Sequence, residues 1–157
     1  MRAFLTSAAL AALLAAAPAP ATAQAAPYTE GSVWDMTFVR TRAGMDDDYL
    51  NNLRAQWKRQ MDEAKRQGLV LSYRVIGAPP ANRDDWDLML ITEYRNMAAL
   101  DQADAKFRAI APKLLGTEQE MRTQSVRRAE IREILGEKVG RELILKDSAV
   151  ATSATRP

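Results

Sequence analysis

The sequence contains no cysteine and no histidine among its 157 residues. The missing thiols exclude disulfides and cysteine nucleophiles. The missing imidazoles exclude histidine bases, the usual axial haem ligand and nearly every kind of protein zinc site. Any acid–base chemistry would therefore fall to Asp, Glu, Lys, Tyr or a cofactor. No motif assigns catalytic residues, and we predict neither a cofactor nor a metal site.

An excess of charge of one sign is also absent. The chain has 22 Lys and Arg against 20 Asp and Glu, a formal net charge of +2. This balance argues against nucleic acid as a partner. Hydrophobic residues make up 47% of the chain and charged residues 27%, values typical of a globular protein. The length suits one domain with a hydrophobic core.

The N-terminus has the pattern of a targeting segment. Arg2 is followed by an apolar run of Ala and Leu over residues 3–17, and prolines then interrupt it. Ala21–Thr22–Ala23 supplies the small-x-small pattern of signal peptidase sites. We predict a signal peptide over residues 1–23, with cleavage after Ala25 as the alternative. The run is short for a bilayer span, so we expect a periplasmic or secreted protein without a stable membrane span after cleavage.

The remaining chain is predicted as one α+β domain over residues 32–147, between a flexible leader at 24–31 and a disordered tail at 148–157. Strand signals alternate with helix signals along this domain. Asn96 and the Thr117–Glu120 capping box mark two helix starts, and Pro112 is expected to bend or end the helix between them. The predicted order is strand 33–41, helix 46–67, strand 69–77, strand 86–94, helix 96–116, helix 117–135 and strand 137–146.

The first predicted helix carries an apolar stripe and an acidic start. Its stripe comprises Leu50, Leu53, Trp57, Met61 and Ala64, at the spacing of one helix face. The acidic run 46–48 lacks the Gly and distal Glu of a calcium loop. Capping of the helix explains it better than a metal site.

This order of elements predicts a ferredoxin-like βαββαβ fold, with one extra helix before the last strand. Right-handed crossovers place the helices on one face of a four-stranded antiparallel sheet, with the first and third strands central. The strand 86–94 is apolar on both faces, so its second face also needs a cover. We expect Val39, Ile76, Met89, Ile91 and Ile144 on that open face, and a homodimer formed through it.

The chain resembles the dimeric α/β-barrel superfamily over residues 33–146. The resemblance rests on the element order, on the long first helix with Trp57, and on the apolar strand that ends in Thr92–Glu93–Tyr94. The members of the superfamily that this chain resembles are uncharacterised exported proteins, NIPSNAP-like and antibiotic-biosynthesis-monooxygenase-like. It implies two ferredoxin-like subunits packed sheet to sheet. Haem-degrading members of the superfamily use a histidine ligand, which this chain lacks.

Polar residues on the expected open face form the candidate ligand site. Strand parity places Asp35, Thr37, Ser72, Arg74, Glu93 and Glu142 there. The ligand-binding candidates are Asp35, Arg74, Glu93, Tyr94 and Glu142. Arginine beside a carboxylate could bind a small acid, and a buried carboxylate could act as a base. The alternative is that these residues form ion pairs that fix the register of a dimer.

Two functions remain open from the sequence alone. The first is an exported homodimeric barrel protein that binds a small molecule or a partner in the barrel or at its rim. The second is a cofactor-independent oxygenase or isomerase that acts on a small apolar carbonyl or phenolic compound. The arginines of the C-terminal third alternate with glutamates, and we interpret them as a solvated helix face.

Overall fold

The computed structural model describes residues 26–147. The predicted signal peptide and C-terminal tail, and the first two residues of the predicted leader, lie outside the described residues. The strands are β1 (Tyr28–Thr41), β2 (Ser72–Gly77), β3 (Leu88–Tyr94) and β4 (Arg132–Leu145). The helices are α1 (Asp46–Asn52), a π-helical turn (Leu53–Trp57), α2 (Lys58–Arg66), α3 (Met97–Asp101), α4 (Ala103–Leu115) and α5 (Glu118–Ile131).

The four strands form one antiparallel sheet in the order β2-β3-β1-β4. The first and third strands are therefore central, as predicted, and β2 and β4 are the edges. The α+β ferredoxin-like fold is confirmed.

The pairing of β1 with β3 defines the two faces of the sheet, because directly opposed residues point to the same side. Val33 pairs with Tyr94, and Val39 pairs with Leu88. Val33 and Tyr94 pack in one buried cluster with Ala64 from α2 and Ile110 from α4. Val39 and Leu88 pack in a second buried cluster, with Tyr49 and Leu53 from the first helix. This side of the sheet is the helix side.

The opposite face carries a row of large apolar side chains. Its paired residues are Trp34 with Glu93, Met36 with Ile91, and Phe38 with Met89. The pairing of β2 with β3 adds Arg74 and Ile76 to the same face. The described helices pack on the other side of the sheet, so this is the open face.

The face assigned to β1 from sequence is wrong. Asp35 and Thr37 pair with Thr92 and Leu90 and lie on the helix side. Val39 also lies there and is fully buried. β1 alternates between the large apolar Trp34, Met36 and Phe38 and the more polar Asp35 and Thr37. Because the open face is itself apolar, this alternation does not tell which row faces the helices. The register of β1 against β3 decides which row faces the helices, and the sequence of β1 alone does not encode that register.

Several element boundaries also differ from the sequence prediction: β2 begins at Ser72 instead of residue 69, and the helix predicted over 96–116 is divided into α3 and α4. β1 begins at Tyr28, so residues 28–31 of the predicted leader are strand, because residues 28–30 pair with 143–145 of β4. α5 ends at Ile131, and residues 132–135 of the predicted helix belong to β4 instead. Thr41 pairs there with Arg132 and Val39 with Ile134, so pairing across the sheet outweighs local helix preference.

A π-helical turn interrupts the first helix at Leu53–Trp57. The Lys58 N–H donates to the Leu53 carbonyl, five residues back. Tyr49 is 1% exposed, whereas Leu50, assigned to the apolar stripe from sequence, is 42% exposed. Tyr49, Leu53, Trp57 and Met61 are spaced by fours, and a wider turn keeps such a series on one face better than a regular α-helix does.

The predicted helix starts at Asn96 and Thr117 are confirmed. The Asn96 side chain accepts a hydrogen bond from the Ala99 N–H, and Thr117 forms a capping box with Glu120. α4 continues through Pro112 and ends before Gly116, whose φ of 93° favours glycine. The acidic residues 46–48 occupy the first turn of α1 without a side-chain capping bond. Their negative charges interact favourably there with the positive end of the helix dipole.

Candidate functional site

A cavity of about 320 Å³ lies on the helix side of the sheet, between the first helix and α4–α5. Its apolar wall includes Leu53, Trp57 and Leu90, and its polar wall includes Gln56, Arg128 and Arg132. The volume is at the lower end of the range for small-molecule sites. The remaining lining residues are Tyr49, Asn52, Gln60, Ala111, Leu115 and Met121.

Arg128 and Arg132 concentrate positive charge at this cavity. They are one helical turn apart, at the end of α5 and the start of β4, and both are half-buried. None of the residues that line the cavity is acidic. Of the ion pairs among residues 26–147, none involves either arginine. Two positive charges therefore face the cavity, with no carboxylate among its lining residues and no ion pair to either arginine within residues 26–147.

The Arg128 side chain is held by a short chain of amides. An Arg128 Nη1–H donates to Gln56 Oε1 at 2.7 Å, and the Gln56 amide donates to Gln124 Oε1 at 3.0 Å. Burial, followed by the positive charge of Arg132, lowers the pKa of Arg128. Arginine nevertheless remains protonated in proteins. The π-helical turn places Gln56 in the wall that Arg128 reaches.

The Arg132 side chain has an unused donor. Its guanidinium carbon lies 5.4 Å from the centre of the Tyr49 ring, a cation–π contact. Its Nε is buried and has no hydrogen-bond partner among the described residues. A buried unpaired donor costs free energy, and a ligand oxygen would relieve that cost.

Tyr49 is the third titratable residue of the cavity. Burial raises the pKa of its phenol, an effect that Arg132 and Arg128 partly oppose. The phenol therefore stays protonated at neutral pH. The cavity thus combines two cations, a neutral phenol and an aromatic wall, a combination that suits an anion with an apolar body.

The sequence-predicted site residues do not form one site, because they divide between the two faces of the sheet. Arg74 and Glu93 lie on the open face. Arg74 covers the Trp34 ring at 5.6 Å, and Glu93 accepts a hydrogen bond from Ser72 Oγ at 2.6 Å. Within residues 26–147, Arg74 makes no ion pair with an acidic residue.

The other predicted site residues are also apart. Glu142 is exposed on β4, where it accepts a hydrogen bond from Ser32 Oγ at 3.2 Å. Asp35 lies on the helix side, where burial, followed by the charges of Glu137 and Asp104, raises the pKa of its carboxyl group. Tyr94 is 4% exposed in the core, and burial raises its pKa to about 12. Tyr94 is therefore a core residue.

The sequence pattern does not single out Arg128 and Arg132, because the arginines of the C-terminal third alternate with glutamates and together predict one solvated face. One signal separates Arg128 from Arg122 and Arg127 of the same helix. The residues three and four positions away from it on either side are Gln124, Ser125, Ile131 and Arg132, none of them acidic. Arg127, by contrast, has Glu130 three residues on, the spacing of a helical ion pair.

Comparisons with known proteins give structural likeness only. No family model and no curated protein matches the chain. A protein from Shewanella oneidensis is similar at 10% identity and a TM-score of 0.48, over 74% of this chain and 96% of that one. A dimeric ferredoxin-like protein from an uncultured marine organism is similar at 11% identity and a TM-score of 0.48, over 75% and 91%.

A third solved structure is a dimeric protein of unknown function with a ferredoxin-like fold, from Bacteroides fragilis. It is similar at 14% identity and a TM-score of 0.39, over 71% of this chain and 95% of that one. Likenesses at this level carry no argument about assembly or activity. Within residues 26–147, no helix has both the length and the apolar character needed to cross a bilayer.

Proposed function

We propose that the protein is an exported homodimer that binds a small organic anion in the cavity formed by Arg128, Arg132 and Tyr49. The observation that carries the proposal is the pair of half-buried arginines with no acidic residue in the same cavity. Like charges that are partly desolvated destabilise the folded protein. A bound anion would offset that cost and satisfy the free Arg132 Nε.

The cavity also supports a choice of ligand class. The Trp57 and Tyr49 rings and the Leu53 and Leu90 side chains favour an apolar body, and the arginines favour a carboxylate or phosphate. The volume of about 320 Å³ limits the ligand to one or two aromatic rings. The lining residues include no carboxylate that could abstract a proton, so the cavity supports binding better than the alternative enzymatic function.

The homodimer is supported by the open face of the sheet. Trp34, Met36, Phe38 and Met89 form its apolar row, and Ile76 at its edge is 40% exposed. A second copy of the chain would cover this row on both subunits. Export is supported by the N-terminal pattern. It predicts a secreted form that begins at Gln24, which intact-mass measurement of the exported protein tests.

Binding is tested with benzoate and phenyl phosphate, and with benzamide as the uncharged probe. We expect at least one of the two anions to raise the melting temperature and to give a calorimetric binding signal, because ligand binding stabilises the folded state. Benzamide should give neither, because it has the same ring but no charge. Added salt should weaken binding of the anion, since screening reduces the attraction to the arginines.

Matched variants of α5 locate the site. Arg128→Gln removes the charge and should weaken binding about tenfold, equivalent to about 1.4 kcal/mol. Arg127→Gln is the control, because it makes the same change at the neighbouring exposed residue. Equal loss in both variants, or binding of benzamide as tight as that of benzoate, would contradict the proposal.

A further inference from the structure

The outer edge of β4 is a long unpaired strand edge. β4 has 14 residues and is the last strand of the described sheet. Several of its apolar side chains are more than half exposed, among them Val139 at 53%, Leu143 at 53% and Ile144 at 51%. Soluble proteins normally protect such an edge, because its free N–H and C=O groups bind other strands.

The sequence of β4 is nearly self-complementary about Val139. When a second copy of the strand is placed antiparallel with Val139 opposite itself, the two valines face each other and Glu137 of each copy faces Arg141 of the other. Because the contact has twofold symmetry, every pair of two different positions occurs twice. Within the regular stretch 136–142 the pairs are Val139–Val139, Glu137–Arg141, Lys138–Gly140 and Gly136–Glu142, and none of them sets like charges opposite each other.

Other registers lose this match. A shift that centres the pair on Lys138 places the two lysines opposite each other. A shift that centres it on Gly140 matches Lys138 with Glu142 but sets Val139 against Arg141 and Glu137 against Leu143. Like charges opposite each other are destabilising, and an apolar residue opposite a charge loses its packing partner. Only the Val139-centred register pairs both classes of residue in the central stretch.

We infer that two copies of the chain pair antiparallel along β4, with the twofold axis at Val139, to form one continuous eight-stranded sheet. This inference deepens the homodimer of the proposed function and rests on it. A twofold axis perpendicular to the sheet keeps all helices on one side. The joined sheet can then curl with its open faces inward, so the β4 contact and the apolar row serve the same dimer.

A β-bulge in β4 limits how far two β4 strands can pair. A register shift between Phe38 and Val39 of β1 places a bulge at Leu135 of β4. The regular ladder between two β4 strands therefore covers residues 136–142. Its central ion pair, Glu137–Arg141, is expected to compete with the contact that Arg141 makes with Glu30 of its own chain.

A single cysteine tests the register directly, because the chain has none of its own. Val139→Cys should be linked to itself across the twofold axis by mild oxidation or by a short bismaleimide, giving a covalent dimer of most of the protein. Val126→Cys is the matched control: Val126 is 57% exposed but lies on α5, away from β4. It should give several-fold less covalent dimer. Gly140→Cys reports the shifted register.

Charge reversal tests the same contact without a cross-link. Glu137→Arg and Arg141→Glu should each raise the dimer dissociation constant about tenfold, equivalent to about 1.4 kcal/mol. The double variant should recover most of the wild-type affinity, because it restores both cross-strand pairs. Glu30→Gln removes the same intrachain ion pair without changing β4, and it should leave dimerisation unchanged or slightly stronger.

The outcomes separate the register from the dimer. A dimeric mass by light scattering, with Val139→Cys cross-linking no better than Val126→Cys, would overturn the β4 register and leave the homodimer standing. Preferential cross-linking of Gly140→Cys would do the same. A monomeric mass at micromolar concentration would overturn both the register and the homodimer, but not the anion site within one subunit.

Discussion

The two faces of the sheet use cations on aromatic rings in different ways. On the open face Arg74 lies 5.6 Å from the Trp34 ring and Lys138 lies 5.8 Å from the Phe38 ring. These cations shield the Trp34 and Phe38 rings from solvent, and a second subunit packed on the open face could shield the same rings. On the helix side the Arg132–Tyr49 contact belongs to a half-enclosed cavity and leaves a buried donor unpaired. One face is therefore suited to assembly and the other to a ligand.

The largest expected effect contrasts two leucines of the first helix. Leu53→Ala should lower the free energy of unfolding by about 3 kcal/mol, because Leu53 is 5% exposed and its loss leaves a cavity in the core. Leu50→Ala should cost less than about 1 kcal/mol, because Leu50 is 42% exposed. Urea denaturation at one fixed protein concentration measures both variants.

Comparing the Leu53→Ala and Leu50→Ala variants also tests whether the π-helical turn exists. A regular helix with the stripe expected from sequence would bury both leucines and give similar costs for the two substitutions. Equal losses of stability would therefore contradict the wide turn at Leu53–Trp57. A large loss for Leu53 alone would agree with the position of Tyr49 in the core beside it.

The next effect contrasts neighbouring residues of β2 that are equally exposed but point to opposite faces. Ile76 and Val75 are each 40% exposed, and Ile76 pairs with Met89 whereas Val75 pairs with Leu90. In the proposed dimer Ile76→Asp would place a carboxylate in the apolar interface twice. It should therefore raise the dimer dissociation constant about a hundredfold, equivalent to about 2.7 kcal/mol. Val75→Asp should change it by less than about threefold.

Analytical ultracentrifugation across a dilution series measures both constants. The control for folding is the circular dichroism spectrum of each variant. If Val75→Asp weakened the dimer as much as Ile76→Asp, the open face would have no special role in assembly. If neither variant weakened the dimer, the apolar row on the open face would not be a dimer interface.

Much of the fold follows from local sequence signals. Asn96 and the Thr117–Glu120 capping box fix two helix starts, because they supply acceptors to free N–H groups. Leu88 and Leu90 were correctly assigned to the helix side and Met89 and Ile91 to the open face. The orientation of β1 was not predictable, because it depends on the register between two strands whose paired residues lie 49 to 61 positions apart in sequence.

The candidate site was less predictable than the fold. Two observations define it, the π-helical turn that turns Gln56 toward the cavity and the change from helix to strand between Arg128 and Arg132. Both depend on tertiary packing, which outweighs local preference. The sequence does show that no acidic residue lies three or four positions from Arg128 along the helix. That missing partner is a signal, but it does not locate the cavity.

The smallest effect concerns Asp35, the predicted site residue that proved to lie on the helix side. Burial, then Glu137 and Asp104, raises its pKa above the ordinary 3.8, so the folded state binds its proton more tightly than the unfolded chain does. Its contribution to stability therefore falls as pH rises from 3.8 through the higher folded-state value.

Asp35→Asn removes this charge with little change in shape. At pH 7 the variant should melt about 1–3 °C above wild type, because the native state no longer holds a partly buried carboxylate near two other acids. The advantage should shrink as pH falls and disappear below about 3.8, where the carboxyl group is neutral in both states. A constant advantage at every pH would mean that Asp35 acts through packing and not through its charge. A loss of stability at pH 7 would instead show that the ionised carboxylate has a favourable partner in the folded protein. That result would move Asp35 back among the candidates for a functional role, on the helix side of the sheet and not in the barrel.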